Sequence, residues 1–223
     1  MSNLPESGNI SVAVITGGHA FDVPNFHILF DNIPGADCYI QHIENFSADV
    51  GKVQEEYDVV LFYTMPRGIP SQEGRGPHRG IGPALEKLGK TKQGVFILHH
   101  GVLTYGEWDV FSRLVGIKNR EIDSFHHDVN IRIEIANSNH PITTNLQPWD
   151  MIDETYVMQE PEEGCEILLE SNHPKSMKAI AWTHTVDEAR VFCFQSGHDN
   201  QTYVSPGFRT VLERGIQWCA GKI

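Results

Sequence analysis

The sequence predicts an α/β fold whose sheet is mainly parallel and carries an antiparallel strand extension. Short apolar strands alternate with helical patterns through the first half of the chain, as in βαβ units. Two apolar strands, 94–98 and 190–194, run directly into polar turns, as parallel strands do at a ligand-binding edge. In contrast, residues 129–135 alternate between apolar and polar side chains, which is typical of a half-exposed strand.

Three apolar segments near the start of the chain predict the first strands: 10–15, 38–43 and 58–63. Asp22 is a predicted N-cap with Pro24 in the first turn, for a helix that ends near Asp31. The segment 47–57 is polar and predicts a helix or a loop. Residues 64–82 are rich in glycine, proline and arginine, so we expect irregular structure there.

The second half of the chain adds helices and further strands. Residues 83–88 predict a short helix, 107–115 carry apolar residues at helical spacing, and 206–220 predict an amphipathic C-terminal helix. Besides 129–135, short strands are expected in three segments: 152–158, 166–169 and 179–185. Because the sequence shows no internal repeat and no low-complexity linker, it predicts one domain over residues 1–223.

Charge and composition restrict the classes of partner. The chain of 223 residues has a net charge of -12, which argues against a general binder of nucleic acid or of anionic membranes. It shows no secretory signal and no apolar run long enough to span a bilayer. Its 4 cysteines lack metal-type spacing and predict reduced, buried thiols. We therefore expect a cytoplasmic protein that binds a small molecule, and a homo-oligomer is compatible with the sequence.

Histidines follow both of the apolar strands that end in polar turns. His99 and His100 follow the first of them, and Gly197-His198-Asp199 follows the second. Ligands of open α/β sheets bind beyond the carboxyl ends of the strands, so these side chains are candidate site residues. The alternative is that the histidines only satisfy loop backbone by hydrogen bonding.

A sharp turn after a strand, followed later by a histidine and an acid, is the residue order of class I glutamine amidotransferase-like domains. In those enzymes a cysteine occupies the turn, whereas this chain has His99 there. The thiolate is the nucleophile of that reaction, and an imidazole does not replace it. The sequence therefore disfavours glutamine hydrolysis.

A set of short motifs extends over almost the entire chain: Gly17-Gly18-His19, Leu98-His99, Trp108, His140-Pro141-Ile142-Thr143, Asp153-Glu154-x-Tyr156, Ala181-Trp182-Thr183 and Gly197-His198-Asp199. In these motifs and their order the chain resembles the ThuA-like, or trehalose-utilisation, family of the class I glutamine amidotransferase-like superfamily. The resemblance implies a flavodoxin-like three-layer sandwich. It also implies a role in carbohydrate use, particularly of trehalose and oxidised disaccharides. The chain departs from the family in 64–82, which is longer and richer in arginine.

The ends of the first strand, the strand before His99 and the last strand can be neighbours on this topology. His19, which follows paired glycines, would then meet His99, His100, His198 and Asp199 in one cleft at the C-terminal edge of the sheet. The alternative is again that each side chain caps its own loop.

Glu154 is the best carboxylate partner for these histidines. A carboxylate and a histidine in one cleft can divide the roles of general acid and general base. The alternative is an exposed carboxylate on a strand. Tyr156, Trp182 and Trp108 are candidate substrate-binding residues that could form an aromatic platform for a sugar, although such side chains more often belong to the core.

Three further features leave alternatives open. Arg67, Arg75 and Arg79 could form a lid over an anionic or polyhydroxylated ligand, or simply a solvated loop. The histidines and acids could hold a divalent metal such as zinc, although no compact ligand spacing is present. The polar cluster 126–128 predicts a solvated loop.

These observations support two hypotheses about function. The first is an enzyme that hydrolyses or isomerises a small sugar, with acid–base chemistry from the histidines and Glu154. The second is a non-catalytic protein in which a degenerate amidotransferase pocket binds a sugar or a partner. Burial of several titratable groups without a function costs stability, which favours the first hypothesis.

Overall fold

Nine strands form one mixed sheet in the computed structural model, which describes residues 8–73 and 80–223. The strands are β1 (Ile10–Gly17), β2 (Ala36–His42), β3 (Val59–Thr64), β4 (Gly94–Leu98), β5 (Ile122–Ile135), β6 (Trp149–Met158), β7 (Glu166–Glu170), β8 (Ala179–Val186) and β9 (Ala189–Phe194). The helices over the same residues are α1 (Val23–Asp31), α2 (Ile43–Ala48), α3 (Ile81–Leu85), α4 (Asp109–Val115), α5 (Asn200–Tyr203) and α6 (Pro206–Cys219).

The sheet combines a parallel part with an antiparallel part, in the order β2-β1-β3-β4-β9-β8-β7-β5-β6. The strands from β2 to β9 in this order pair in parallel, and those from β9 to β6 pair antiparallel. Strand β9 therefore belongs to both parts. The expected α/β fold is confirmed as a single large mixed sheet with helices.

Both faces of the inner parallel strands are buried, whereas the edge strand β2 is only partly buried. Side chains of a strand alternate between the two faces, and β1 contributes Val12 and Val14 to one hydrophobic cluster but Ala13 and Ile15 to another. Helices α1 and α6 pack in the first cluster, and α2 and α4 pack in the second. This two-sided burial explains why the inner parallel strands are almost continuously apolar.

The structure confirms the predicted start of α1 and corrects one loop. The Asp22 side chain accepts a hydrogen bond from the backbone nitrogen of Asn25 at 3.3 Å and so caps α1.

The prediction of a solvated loop at 126–128 is wrong, because these residues lie within β5. A bulge interrupts the pairing of β5 with β6 between His126 and Val129, and this irregularity hid the strand pattern from the sequence.

The hairpin formed by β5 and β6 is only loosely joined to the rest of the sheet. Strand β5 pairs with β7 at its last two residues alone, Glu134 opposite Glu170 and Ile135 opposite Leu169. The rest of the hairpin is paired only within itself, and β6 contacts α5, where the Thr202 hydroxyl lies 2.9 Å from the carbonyl oxygen of Ile152. As a result, β6 lies beside the loop that follows β9.

Two sequence-based expectations can be compared with the described residues. All four cysteines are free thiols there: Cys38, Cys165, Cys193 and Cys219. The expected burial is wrong for Cys38 and Cys165, which are partly exposed, and holds for the other two. Across the described part of the chain, none of the helices combines the length and the apolar character that crossing a membrane requires.

Candidate functional site

The turn after β4 holds His99 in an unusual backbone conformation. His99 has a φ of +51°, in the left-handed region, and begins a 3₁₀ turn that spans His99–Leu103. A non-glycine residue in this region costs about 1–3 kcal/mol and persists only where its surroundings hold it. The close approach of this turn to β3 also requires Gly101, because a Cβ there would collide with the Phe62 carbonyl oxygen. The strained turn buries the His99 side chain completely.

His99 is fixed by a hydrogen bond that also selects its tautomer. Its Nδ1 lies 2.9 Å from the carbonyl oxygen of Gln195, on the loop after β9. A carbonyl oxygen can only accept, so Nδ1 carries a hydrogen and donates it. The other nitrogen, Nε2, therefore points towards Glu154 on β6 at 3.1 Å.

Glu154 is the centre of a buried polar cluster. Its Oε2 lies 3.1 Å from His99 Nε2, 3.3 Å from His198 Nδ1 and 2.8 Å from the Tyr156 hydroxyl, which donates to it. Its Oε1 lies 3.1 Å from His127 Nδ1. We call these five residues the Glu154 cluster: His99, His127, Glu154, Tyr156 and His198. The exposed fractions of the side chains are 55% for His127 and 25% for His198, so the cluster opens to solvent on their side.

The loop that carries His198 is clamped by Asp153. The buried Asp153 carboxylate accepts hydrogen bonds from the backbone nitrogens of Gly197 and His198, at 3.1 and 3.0 Å, and from the Thr202 hydroxyl at 2.8 Å. Gly197 has a φ of +129°, a conformation that favours glycine. Burial raises the pKa of Asp153, while His99 and these hydrogen bonds oppose the increase. Asp153 therefore sets the position of the His198 ring.

The contacts within the cluster shift its pKa values in opposite directions. Burial alone would raise the pKa of Glu154, but hydrogen bonds from His198, His99 and Tyr156 outweigh it and lower the pKa below its usual range. The hydrogen bond to Glu154 raises the pKa of His198, against the effect of burial. Burial, with the Glu154 charge, raises the pKa of Tyr156, which keeps its hydroxyl protonated as a donor. These shifts favour a Glu154 carboxylate that faces a protonated His198 imidazole.

His100 lies beside the cluster and not within it. Its buried ring contacts the rings of Tyr63, His19 and His99, with centroids 4.2, 4.6 and 5.2 Å apart. Neither ring nitrogen makes a hydrogen bond of normal geometry to a described residue, although the Tyr63 carbonyl weakly favours protonation. Burial, and then the charges of His99 and His19, lower the pKa of His100. Its imidazole is therefore neutral near pH 7.

The structure brings some of the expected catalytic residues together and separates others. His99, His198 and Glu154 are in contact, whereas the exposed His19 reaches the group only through His100. Asp199 has a different role, because its side chain caps α5 by accepting from the backbone nitrogen of Gln201 at 2.9 Å. The acid that holds the His198 loop is instead Asp153.

The expected aromatic platform needs correction. Trp182 is completely buried, and its indole nitrogen donates to the carbonyl of Val115 at 2.8 Å. Trp108 lies in the same hydrophobic cluster and precedes α4. Neither tryptophan side chain is available to a sugar. Strand β8 directs Trp182 into the core, and Trp108 is packed there at the start of α4. Tyr156 is also buried, but its hydroxyl faces Glu154.

The expected arginine lid lies partly outside the described residues. Arg67 is exposed in the loop after β3. Arg75 and Arg79 fall in the segment 74–79, outside the described residues.

Three residues at this edge were not expected from the sequence to belong to the site: Phe125, His127 and Asp153. Phe125 is 53% exposed, and its ring lies 5.4 Å from that of His127. Asp153 could have been recognised from the sequence, since it directly precedes Glu154 in the motif Asp153-Glu154-x-Tyr156. Phe125 and His127 could have been found only by extending the alternating strand 129–135 backwards through the bulge.

Three atoms of the cluster have the arrangement of a metal-ligand set. His99 Nε2, Glu154 Oε2 and His198 Nδ1 all lie within 4.8 Å of one another. Imidazole nitrogens and a carboxylate oxygen are common ligands of zinc and of related divalent ions. These three residues are therefore the ones that could hold an ion in this part of the chain.

Comparison with known proteins adds a family to this geometry. Residues 47–219 match the ThuA family, which is described as trehalose utilisation. A ThuA-like protein from Parabacteroides merdae is 18% identical, with a TM-score of 0.72 over 96% of this chain and 91% of that one. A ThuA-like protein from Bacteroides uniformis is 15% identical, with a TM-score of 0.73 over 98% of this chain and 94% of that one.

The fold is shared more widely than the family. A chain of PurLQS from Thermotoga maritima, which has a glutamine amidotransferase-like fold, is 8% identical, with a TM-score of 0.61 over 94% of this chain and 99% of its own. Identities this low show a common fold alone. No curated protein matches the chain. Because the family match covers more than half of the sequence, this chain belongs to the ThuA family of trehalose utilisation.

Proposed function

We propose that this chain is an enzyme of carbohydrate utilisation that hydrolyses or isomerises a small sugar at the Glu154 cluster. The sugar is trehalose or an oxidised disaccharide, and the scaffold is flavodoxin-like. The observation that carries the proposal is the buried carboxylate of Glu154, which three histidines surround: His99, His127 and His198. Family membership supports the choice of a carbohydrate.

The position of the cluster suits a reaction on a small ligand. His99 and His198 follow β4 and β9, which are parallel neighbours, so both lie beyond the carboxyl ends of strands. His127 and His198 are partly exposed and can reach a ligand, whereas His99 is buried behind them. Hydrolysis and isomerisation of sugars both require groups that accept and supply protons, and Glu154 with these imidazoles is such a set.

Glutamine hydrolysis does not fit this site. His99 occupies the turn where a nucleophilic cysteine would be required. The nearby cysteine of β9, Cys193, is completely buried, and burial raises the pKa of its thiol well above the usual value. The ligand that we propose is therefore a carbohydrate and not glutamine. Free thiols and the net charge of -12 favour a cytoplasmic protein without nucleic-acid or membrane partners.

The experiment is a turnover screen of the full chain on trehalose and oxidised disaccharides. Glu154→Gln removes the charge but keeps the shape, and should lower turnover by roughly a hundredfold or more. His27→Ala, on the exposed side of α1, is the matched control and should keep the wild-type rate. Equal turnover in the wild type and in Glu154→Gln would refute the proposal. Sugar binding without turnover would identify a non-catalytic sugar-binding protein instead.

A further inference from the structure

We infer that His99 Nε2, Glu154 Oε2 and His198 Nδ1 bind one divalent transition-metal ion of the zinc class. The ion site itself is argued from the positions of these atoms. Only the use of the ion in a sugar reaction rests on the proposed function. The three atoms form a nearly equilateral triangle with sides of 3.1, 3.3 and 3.3 Å.

The size of this triangle matches a tetrahedral ion. Zinc held tetrahedrally at about 2.0–2.1 Å from nitrogen and oxygen ligands places those ligand atoms about 3.3–3.4 Å apart. Each of the three observed separations agrees with this value to within about 0.3 Å. An ion above the triangle would keep a fourth position open, as catalytic zinc sites do.

Several polar atoms lie around the proposed ligand atoms. Glu154 Oε2 lies 3.1 Å from His99 Nε2, 2.8 Å from the Tyr156 hydroxyl and 3.3 Å from His198 Nδ1. His99 Nε2 also lies 3.1 Å from the Tyr156 hydroxyl. Because His99 Nδ1 is held by the Gln195 carbonyl, Nε2 is the ring nitrogen that can face an ion. One ion bound to all three ligand atoms would satisfy them at the same time.

The surrounding contacts are those expected around metal ligands. A metal-binding histidine usually donates its other ring N–H to a carbonyl or carboxylate, and His99 donates to Gln195. A metal-binding carboxylate is usually hydrogen-bonded as well, and Glu154 receives the Tyr156 hydroxyl on Oε2 and contacts His127 through Oε1. Asp153 does not face the ion and instead anchors the backbone of His198.

The ion would serve the proposed reaction directly. A divalent ion with an open position can bind a sugar oxygen or a water and lower the pKa of that water. Acid–base chemistry at the cluster would then come from the bound water, while His99, Glu154 and His198 act as ligands. The partly exposed sides of His198 and His127 leave room for a ligand to approach.

The test uses the full chain, freed of metal by a chelator and titrated with Zn²⁺ by calorimetry and with Co²⁺ by visible absorption. We expect one ion per chain and a tetrahedral cobalt spectrum. Glu154→Gln and His198→Ala should weaken binding by about a hundredfold or more, since even indirect partners of a metal contribute 10–100-fold. His27→Ala should bind as the wild type does. His99→Ala removes a buried side chain, so circular dichroism accompanies each variant.

The outcomes separate this inference from the proposed function. Absence of Zn²⁺ and Co²⁺ binding by the wild type would overturn the inference, as would equal binding by Glu154→Gln, His198→Ala and the wild type. Sugar turnover at the full rate in chelated protein would overturn the use of the ion in the reaction and would leave the proposed function standing. Tight, Glu154-dependent ion binding without turnover of any sugar would support the inference and refute the proposed function.

Discussion

His99 Nε2 and Glu154 Oε2 lie 3.1 Å apart, although 55 positions separate the two residues in the chain and both side chains are almost fully buried. The contact joins the strained turn after β4 to the hairpin at the far end of the sheet. Buried charges persist where they are paired or bind a metal, so this contact marks the centre of the site.

Replacement of His99 by cysteine should not create a glutaminase. The thiol would be buried beside the Glu154 carboxylate, and both effects raise a thiol pKa and disfavour the thiolate. A base and an oxyanion hole would also have to be aligned. Ammonia release from glutamine should stay at background in the wild type and in His99→Cys. Release by His99→Cys above that background would contradict this expectation.

Asp153→Asn should destabilise the protein, whereas Asp199→Asn should not. The two carboxylate oxygens of Asp153 accept from the backbone nitrogens of Glu154, Gly197 and His198 and from the Thr202 hydroxyl. An amide offers only one oxygen, so a buried donor loses its partner. We expect a loss of about 1–3 kcal/mol in the free energy of unfolding, measured with urea. Asn caps helices as well as Asp does, so Asp199→Asn is the control. Equal stability of the two variants would show that Asp153 is not the clamp.

Phe125→Ala should weaken sugar affinity without affecting the fold. Phe125 is 53% exposed beside His127, and it is the described aromatic side chain that could stack on a sugar at this edge. If stacking on Phe125 contributes about 1 kcal/mol to binding, its loss should raise the KM or Kd for trehalose roughly fivefold. Ile152→Ala removes another exposed apolar side chain from the same hairpin and should leave affinity unchanged. The same affinity in both variants would exclude a role for Phe125.

The partly buried His184 should make the folded protein less stable as the pH drops below the ordinary histidine pKa of 6.5. Burial lowers the pKa of His184 below its ordinary value of 6.5, against the bond from its Nε2 to the Leu114 carbonyl. Below pH 6.5 His184 therefore binds more protons in the unfolded chain than in the folded one, and its effect on the folded state is a loss of stability until its lower, folded-state pKa is reached. The pH dependence of the unfolding free energy should be weaker in His184→Gln. An unchanged dependence would exclude His184 from this effect.

Much of the parallel half could be predicted from local patterns. The apolar strands and the Asp22 cap follow from short-range rules, because side-chain alternation and capping act within a few residues. The same rules placed His99 and His198 beyond the ends of strands. The burial of Trp182 and Trp108 could not be decided from local patterns, since an aromatic residue suits both a core and a ligand-binding edge.

The sequence specified which residues stand at the ends of the parallel strands, because local hydrophobic patterns determine where such strands end. The path of the β5–β6 hairpin was not specified in this way. It depends on the short pairing with β7 and on the bulge near His126, which involve contacts between distant parts of the chain. That path brings Glu154 and His127 to His99, so the cluster exists only in the folded molecule.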